Sequence, residues 1–432
     1  MKKSCDSLTI RVVPSLTLVL ANLTLTSVVD GQLIGYGSSP VHNQGTYAQF
    51  KDVLNLQGSG NSRQAASSAP TVSPIRPPKA EYESPAIHEN GRVTFAITVP
   101  EAKQVHLVGR FSSELERLPM EKDGQGVWRK TLERLEGGIY NYGFAIDGST
   151  VIGDPLNPKV FRRAIEPTVW SFLEMPGSDG PMFYEMQDVP HGVVHRHAYQ
   201  SKIASEIRTL HVYTPPGYYE SSNKRFPVLY LLHGGGDKAD VFLVAGRIDM
   251  ILDNLIAEKK VEPMIVVMPY TNGVSPYVRR PNVVVDRTKN FGEFEDMFFA
   301  EIKPFVDSRY RISNKRENHA VAGYSVGAAL SRTIGLKHLD LFAWVGSFSG
   351  GSRLSDDYEQ TIPPLLRDVE KTNKLIKLHW ISGPAEEKNL PEFHQGLADA
   401  GIQFVYRPDR FGHSYRTCRY ILKEEFLPRL FK

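Results

Sequence analysis

The run His319 to Ser331, His-Ala-Val-Ala-Gly-Tyr-Ser-Val-Gly-Ala-Ala-Leu-Ser, sets a serine between two glycines in the order Gly323-Tyr324-Ser325-Val326-Gly327. A serine hydroxyl is a weak nucleophile and attacks a carbonyl only when held clear of the sheet on a sharp strand-to-helix turn. Small residues two before and two after the serine let strand and helix approach closely enough to make that turn. Ala320-Val321-Ala322 reads as the incoming strand and Val326 to Leu330 as the start of an Ala-rich helix. The spacing predicts a nucleophile elbow centred on Ser325.

Such a serine needs a base, an acid that orients the base, and N–H donors for the oxyanion. Of the 13 histidines, His338, His379, His394 and His413 follow Ser325. His338 and His394 fall on predicted helices and His379 inside a strand. His413, in Arg410-Phe411-Gly412-His413-Ser414-Tyr415, sits on a loop after the strand Phe404 to Tyr406 and is the expected base. The acid belongs on the loop after the strand Lys377 to Ser382, where Gly383-Pro384-Ala385-Glu386-Glu387-Lys388 offers two adjacent glutamates. Asp356 and Asp357, after the preceding strand, are the alternatives. Leu231-Leu232-His233-Gly234-Gly235-Gly236 closes a long apolar strand, and its glycines free a backbone N–H, that of Gly235, to join the N–H of Val326 at the oxyanion. Phe242, Tyr270, Tyr277 and Phe411 fall on predicted rim loops and, with Tyr415, are expected to line the substrate cleft. His191, His195 and His197 cluster without a carboxylate to complete a metal site, so neither metal nor cofactor is expected.

The elements that must position these residues alternate in kind between about Val189 and Lys432. Pro227 to Leu232, Met264 to Met268, Trp344 to Phe348 and Leu378 to Ile381 are continuous apolar runs, as in strands buried on both faces. Helical stretches lie between them: Ile248 to Lys259, Glu293 to Tyr310 and Leu390 to Ala400. That alternation predicts an α/β region, a mostly parallel sheet with helices on both faces.

Upstream, from about Ser84 to Pro176, the pattern is all-β. Val93 to Val99 alternates with period two; Val105 to Val108, Val127 to Leu132 and Tyr140 to Ile146 follow, and Asp147-Gly148 marks a hairpin turn. A small β-sandwich is expected, with Trp128 and Tyr140 partly in its core, shaping the cleft or packed on the following region, and with weak or no glycan binding. Residues 32–83, rich in Gly, Ser, Asn, Gln and Pro, read as a linker. Lys2, Lys3 and Arg11 precede the apolar run Val12 to Val29, with Asp30-Gly31 behind it. This is the grammar of a signal peptide over residues 1–31, so export to the periplasm or medium is expected. Of two cysteines, Cys5 would leave with the leader and Cys418 would remain a lone thiol. With 51 Lys and Arg against 48 Asp and Glu in 432 residues, and no basic run, nucleic acid is not an expected partner.

With these motifs in place the chain resembles a known esterase family. The residues that carry the resemblance are Val212-Tyr213-Thr214-Pro215-Pro216-Gly217-Tyr218, Pro227 to Gly236, Asp253 to Ala257, Pro263 to Pro269, Ala322 to Gly327 and Gly412 to Arg416. That family includes feruloyl and acetylxylan esterases (carbohydrate esterase family 1), enterochelin esterases and esterase D. Residues 84–176, with Gly126-Val127-Trp128 and Gly138 to Gly148, resemble the early-set sandwich related to glycogen-binding modules. The resemblance implies an α/β-hydrolase fold preceded by the sandwich, and a serine esterase with Ser325 as nucleophile, His413 as base and an acid at Glu386. It implies acyl esters, feruloyl or acetyl, of plant polysaccharide as substrates. A siderophore-type small-ester hydrolase is one rival, and a non-catalytic carbohydrate-binding protein on the same scaffold another. The chain differs from the family where Glu386 stands for the usual Asp, where Tyr415 and Cys418 stand near a usual Trp, and where Ala328 replaces a glycine.

Overall fold

The computed structural model describes residues 26–29, 32–35 and, from 81 onward, all but 113, 149–150, 165–167, 179, 221, 274–286, 351–366 and 384–391. The chain divides into two compact units, Met1–Pro78 and Lys79–Lys432. In the first, Thr26–Val29 pairs antiparallel with Gln32–Gly35. The rest of the expected leader, and the linker beyond this hairpin up to residue 80, lie outside the described residues. Among the described residues no helix is long and apolar enough to cross a membrane.

The second unit opens with two antiparallel sheets. One has four strands in the order Ala86–Ile87, Val93–Thr98, Val127–Leu132, Glu121–Lys122. The other orders Val160–Arg162, Val169–Met175, Gly138–Ile146, Val105–Gly109 and Glu116–Pro119, with Val151–Ile152 beside Gly138–Ile146. The period-two pattern works as expected: Val93, Phe95 and Ile97 turn inward and meet Val105, Leu107, Tyr142, Phe144 and Leu173. Trp128 and Tyr140 are 7% and 3% exposed, so both belong to this core rather than to an open binding face. Asp147 and Gly148 both take positive φ (48° and 76°), the left-handed backbone that this turn demands.

The remainder is built on one eight-stranded sheet: β1 (Val193–Ser201), β2 (Glu206–Thr214), β3 (Val228–Leu232), β4 (Ile265–Pro269), β5 (His319–Tyr324), β6 (Trp344–Phe348), β7 (Leu378–Gly383) and β8 (Val405–Pro408). Their spatial order is β1-β2-β4-β3-β5-β6-β7-β8. β2 runs antiparallel to both β1 and β4, and every later pairing is parallel. All five residues of β3 are buried because helices cover both faces of the sheet. Leu229 and Leu231 point into one apolar cluster, and Val228, Tyr230 and Leu232 into the other. The expected single helix from Glu293 to Tyr310 is instead Arg287–Met297, a π-helical turn Phe298–Ile302 and Lys303–Asp307. Pro304 explains the break, since it has no N–H to return to the preceding turn.

The first cluster does not stop at the hydrolase region. Ile139 and Phe172 of the sandwich, and Tyr184 of the connector, pack in it with Tyr415, Cys418 and Leu422. Polar bonds stitch the same seam. Arg416 pairs with Glu136 at 2.7 Å, and Arg419 donates to the carbonyls of Ala245 (2.5 Å) and Ile139 (3.5 Å). The clustered histidines upstream are tied into the fold: His191 bonds Asp253 at 2.8 Å, His195 the Tyr219 hydroxyl at 2.9 Å and His197 the Tyr310 hydroxyl at 2.5 Å.

Candidate active site

Ser325 sits between β5 and the helix Val326–Lys337 with φ 57° and ψ −113°. A non-glycine residue pays for that backbone conformation, and the surroundings must hold it there. The Ser325 N–H donates to the Phe348 carbonyl at the end of β6 (2.9 Å). The flanking glycines are required by contact: a Cβ on Gly323 would lie 2.2 Å from the Gly327 carbonyl oxygen, and one on Gly327 would lie 2.1 Å from that of Leu232. Ala328 is fully buried in the first turn of the helix, so the methyl group that replaces the usual glycine is accommodated there. The Ser325 side chain itself is half-buried.

The glycine loop after β3 borders the serine, since a Cβ on Gly234 would come 3.5 Å from Ser325 Cβ. His233, fully enclosed, organises it. Its Nε2 accepts the Thr271 N–H at 3.0 Å, which leaves Nδ1 to donate to the Gly234 carbonyl at 2.8 Å. Burial pushes its pKa down to about 4, so the ring is neutral at physiological pH. The Gly234 carbonyl also accepts from the Asp237 N–H (3.1 Å). Because a trans peptide points its C=O and N–H in opposite directions, these bonds turn the Gly235 N–H the other way.

His413 lies between β8 and the helix Tyr415–Tyr420, on a loop tied down by its own hydroxyls. Ser414 caps the helix by accepting the Thr417 N–H, and Thr417 Oγ1 donates to the Gly412 carbonyl at 2.7 Å. The imidazole stacks on Tyr324, the residue before Ser325, with ring centroids 4.8 Å apart. The residue is nevertheless exposed at the surface. Burial of the ring first, then the charges of Arg110 and Arg163, lower its pKa, and the nearby backbone of Ser349 offsets part of this. The fold thus brings Ser325, the glycine loop and His413 to one end of the parallel strands.

The expected acids Glu386, Glu387, Asp356 and Asp357, and Tyr277, lie outside the described residues. Phe242 is a correction: it is fully buried on the short helix Val241–Val244, edge-on to Tyr415 at 5.5 Å, and is a core residue rather than part of a rim. Tyr415 is nearly buried too, and its hydroxyl donates to Asp237 Oδ2 at 2.8 Å. Tyr270 is half-buried between His233 (5.5 Å) and the Arg208 guanidinium (4.8 Å). Phe411, beneath the Arg416 guanidinium at 4.1 Å, faces a cavity of about 400 Å³ that Arg110 and Tyr140 of the sandwich also line.

Three residues of the site escape the sequence reading. Asp237 accepts from the Arg163 Nε (3.0 Å) as well as from Tyr415, and its place directly after the glycines was the available signal. Arg163 comes from the sandwich, 74 residues upstream of its partner, and no local pattern marks it. Asp409, just past β8, accepts the Ser349 hydroxyl at 2.7 Å; burial raises its pKa.

Comparison with known proteins bears on the family and the fold. Residues 201–389 match the family described as Putative esterase, and residues 80–161 match Carbohydrate-binding module 48 (Isoamylase N-terminal domain). The chain is 31% identical over 293 residues to an endo-1,4-beta-xylanase/feruloyl esterase of Xylanibacter ruminicola, which covers 66% of this chain and 38% of that one. It is 29% identical over 154 residues to endo-1,4-beta-xylanase Y of Acetivibrio thermocellus, covering 33% of this chain and 13% of that one. It therefore spans well under half the length of either relative. Among solved structures, the ferric enterobactin esterase of Salmonella typhimurium superposes with a TM-score of 0.53 at 15% identity, over 80% of this chain and 95% of that one. The enterobactin esterase of Shigella flexneri gives 0.51 at 17%, over 76% and 90%. The shared fold is an α/β-hydrolase preceded by a small all-β sandwich.

Proposed function

We propose, from the membership of residues 201–389 in this esterase family, that the chain is an exported serine carboxylesterase acting on feruloyl or acetyl esters of plant polysaccharide. Ser325 Oγ attacks the ester carbonyl as His413 takes its proton; the N–H groups of Val326 and Gly235 receive the oxyanion. The tetrahedral centre collapses, His413 returns the proton to the leaving alcohol, and an acyl-serine remains. Water, deprotonated by the same histidine, then releases the acid and restores the serine. Glu386, which follows β7 in the sequence, is the proposed acid that orients His413. The observation that carries the reading is the left-handed Ser325 at a glycine-enforced elbow, bordered by the Gly234 loop and with His413 stacked on its neighbour Tyr324.

The substrate class draws on the relative that is named a xylanase and feruloyl esterase and on the carbohydrate-module match of the sandwich. A second reading, a siderophore-type small-ester hydrolase, draws on the cavity beside Phe411, where Arg110, Arg134, Arg410 and Arg416 would suit an anionic ester. A panel of p-nitrophenyl acetate, methyl ferulate, acetylated xylan and a catecholate siderophore separates them. Turnover of methyl ferulate or acetylated xylan at least tenfold faster than the siderophore is the expected result. Preference for the siderophore would replace the polysaccharide reading, and no turnover of any ester would end both.

The base is active only when neutral, so its lowered pKa extends activity toward acid. The acid limb of kcat/KM is expected to fall below the ordinary imidazole value of about 6.5. A limb above that value in a pH–rate profile would show that the environment of His413 does not act in this way.

A further inference from the structure

We infer that Arg163 of the β-sandwich is a positioning residue for the oxyanion loop and the His413 loop, so that the sandwich is part of the catalytic apparatus rather than an appended module. The inference rests on the serine-esterase reading above and adds a residue from outside the hydrolase region to it.

Arg163 directly follows the sandwich's edge strand Val160–Arg162. Its Nη2 donates to the Gly235 carbonyl at 2.5 Å, and its Nε to Asp237 Oδ1 at 3.0 Å. The next residue, Ala164, donates its N–H to the Gly236 carbonyl at 2.7 Å. Two successive carbonyls of the glycine loop are therefore held from the sandwich. The third, Gly234, is held from within by His233 and the Asp237 N–H. Gly236 itself has φ 77° and donates its N–H to Asn272 Oδ1 at 3.3 Å.

Three consecutive glycines have little conformational preference of their own, so the direction of the Gly235 N–H is set by what grips the peptides on either side. Arg163 grips the peptide that follows that N–H. Its guanidinium does so with a planar fork, one arm on a carbonyl and one on a carboxylate, which a lysine can match only in part. Asp237 then passes the restraint on, because its other oxygen accepts the Tyr415 hydroxyl two residues from His413. Arg163, Asp237 and Tyr415 form one continuous set of bonds from the sandwich, past the glycine loop, to the segment that carries the base. Asp237 is nearly buried, and the Arg163 side chain is 29% exposed, so the pair is shielded enough to hold its geometry.

The test is steady-state kinetics of the full chain with p-nitrophenyl acetate for wild type, Arg163→Met, Arg163→Lys, Asp237→Asn and the double variant Arg163→Met/Asp237→Asn. Complete loss of an oxyanion donor costs about 10²–10³ in kcat. A loosened donor should cost less, and Arg163→Met is expected to lower kcat about 10- to 100-fold with KM within twofold. Arg163→Lys should recover part of the loss. The double variant should be little worse than the poorer single one, as for residues acting in one network. A residue that only docked the sandwich would lower the melting temperature and leave kcat of the folded fraction unchanged. That outcome, or additive losses in the double variant, overturns the inference. Should Arg163→Met not fold, Arg163→Lys decides: full wild-type kcat refutes the role of the fork. If wild-type protein hydrolyses no ester at all, the serine-esterase reading itself has failed, a result distinct from an active wild type with an indifferent Arg163.

Discussion

Ser325→Ala abolishes ester hydrolysis in a protein that still folds. The side chain is half-buried, and the bond that anchors the turn, Ser325 N–H to the Phe348 carbonyl, is made by backbone. Alanine tolerates the strained φ no worse than serine, so the elbow keeps its shape while losing its only reacting atom. Without a nucleophile no acyl-enzyme forms, and the remaining groups stabilise only direct attack by water. A fall of about 10⁴-fold or more in kcat for p-nitrophenyl acetate is expected, with an unchanged melting temperature. Mass spectrometry after a fluorophosphonate probe should show the adduct on wild type and none on the variant. Turnover within tenfold of wild type in a folded Ser325→Ala sample would remove Ser325 from the mechanism.

Glu386→Gln should be nearly as damaging. The triad acid accepts a hydrogen bond from the second ring nitrogen of the base, which fixes the tautomer and stabilises the imidazolium formed during attack. A glutamate, one carbon longer than aspartate, serves if its backbone stands farther back. Amide for carboxylate keeps the size of the side chain but removes its charge and puts an N–H donor where one acceptor oxygen stood, a change that costs about 10⁴ in turnover at a true triad acid and almost nothing at a surface carboxylate. The comparison set is kcat for Glu386→Gln, Glu387→Gln and Asp357→Asn. Collapse of Glu387→Gln or Asp357→Asn beside a mild Glu386→Gln would transfer the role. Mild effects in all three would leave a Ser–His dyad.

The parts of this molecule that sequence made legible are those whose cause is local. Alternation at Val93, Phe95 and Ile97, the fully apolar β3 and the glycine spacing around Ser325 each follow from a few adjacent residues meeting one geometric demand. The position of His413 was legible because, of the later histidines, it alone falls on a loop after the last strand. Phe242 was misread because a four-residue helix is too short for its period to reveal an inward face. Pro304 was in plain view, but whether a helix ends or widens at a proline depends on what packs around it. Arg163 and Asp237 were out of reach for another reason. Their meaning lies in a contact across 74 residues, between a strand end and a turn that carry no shared pattern.

Ile139 and Phe172 lie in the same apolar cluster as Cys418 and Leu422, and this bears on how such a chain can be cut and recombined. A module joined only by a tether can be exchanged for another with its own specificity, because each partner arrives with a closed interior. Here each partner has a core of its own, but a third cluster is shared between them. A hydrolase excised near residue 189 would expose the seam where those side chains sit, and a foreign sandwich would have to present matching shapes at the same places. The boundary drawn by two separate family matches is thus a boundary of ancestry rather than of folding, and any library built by shuffling should keep residues 81–432 as one inheritable piece.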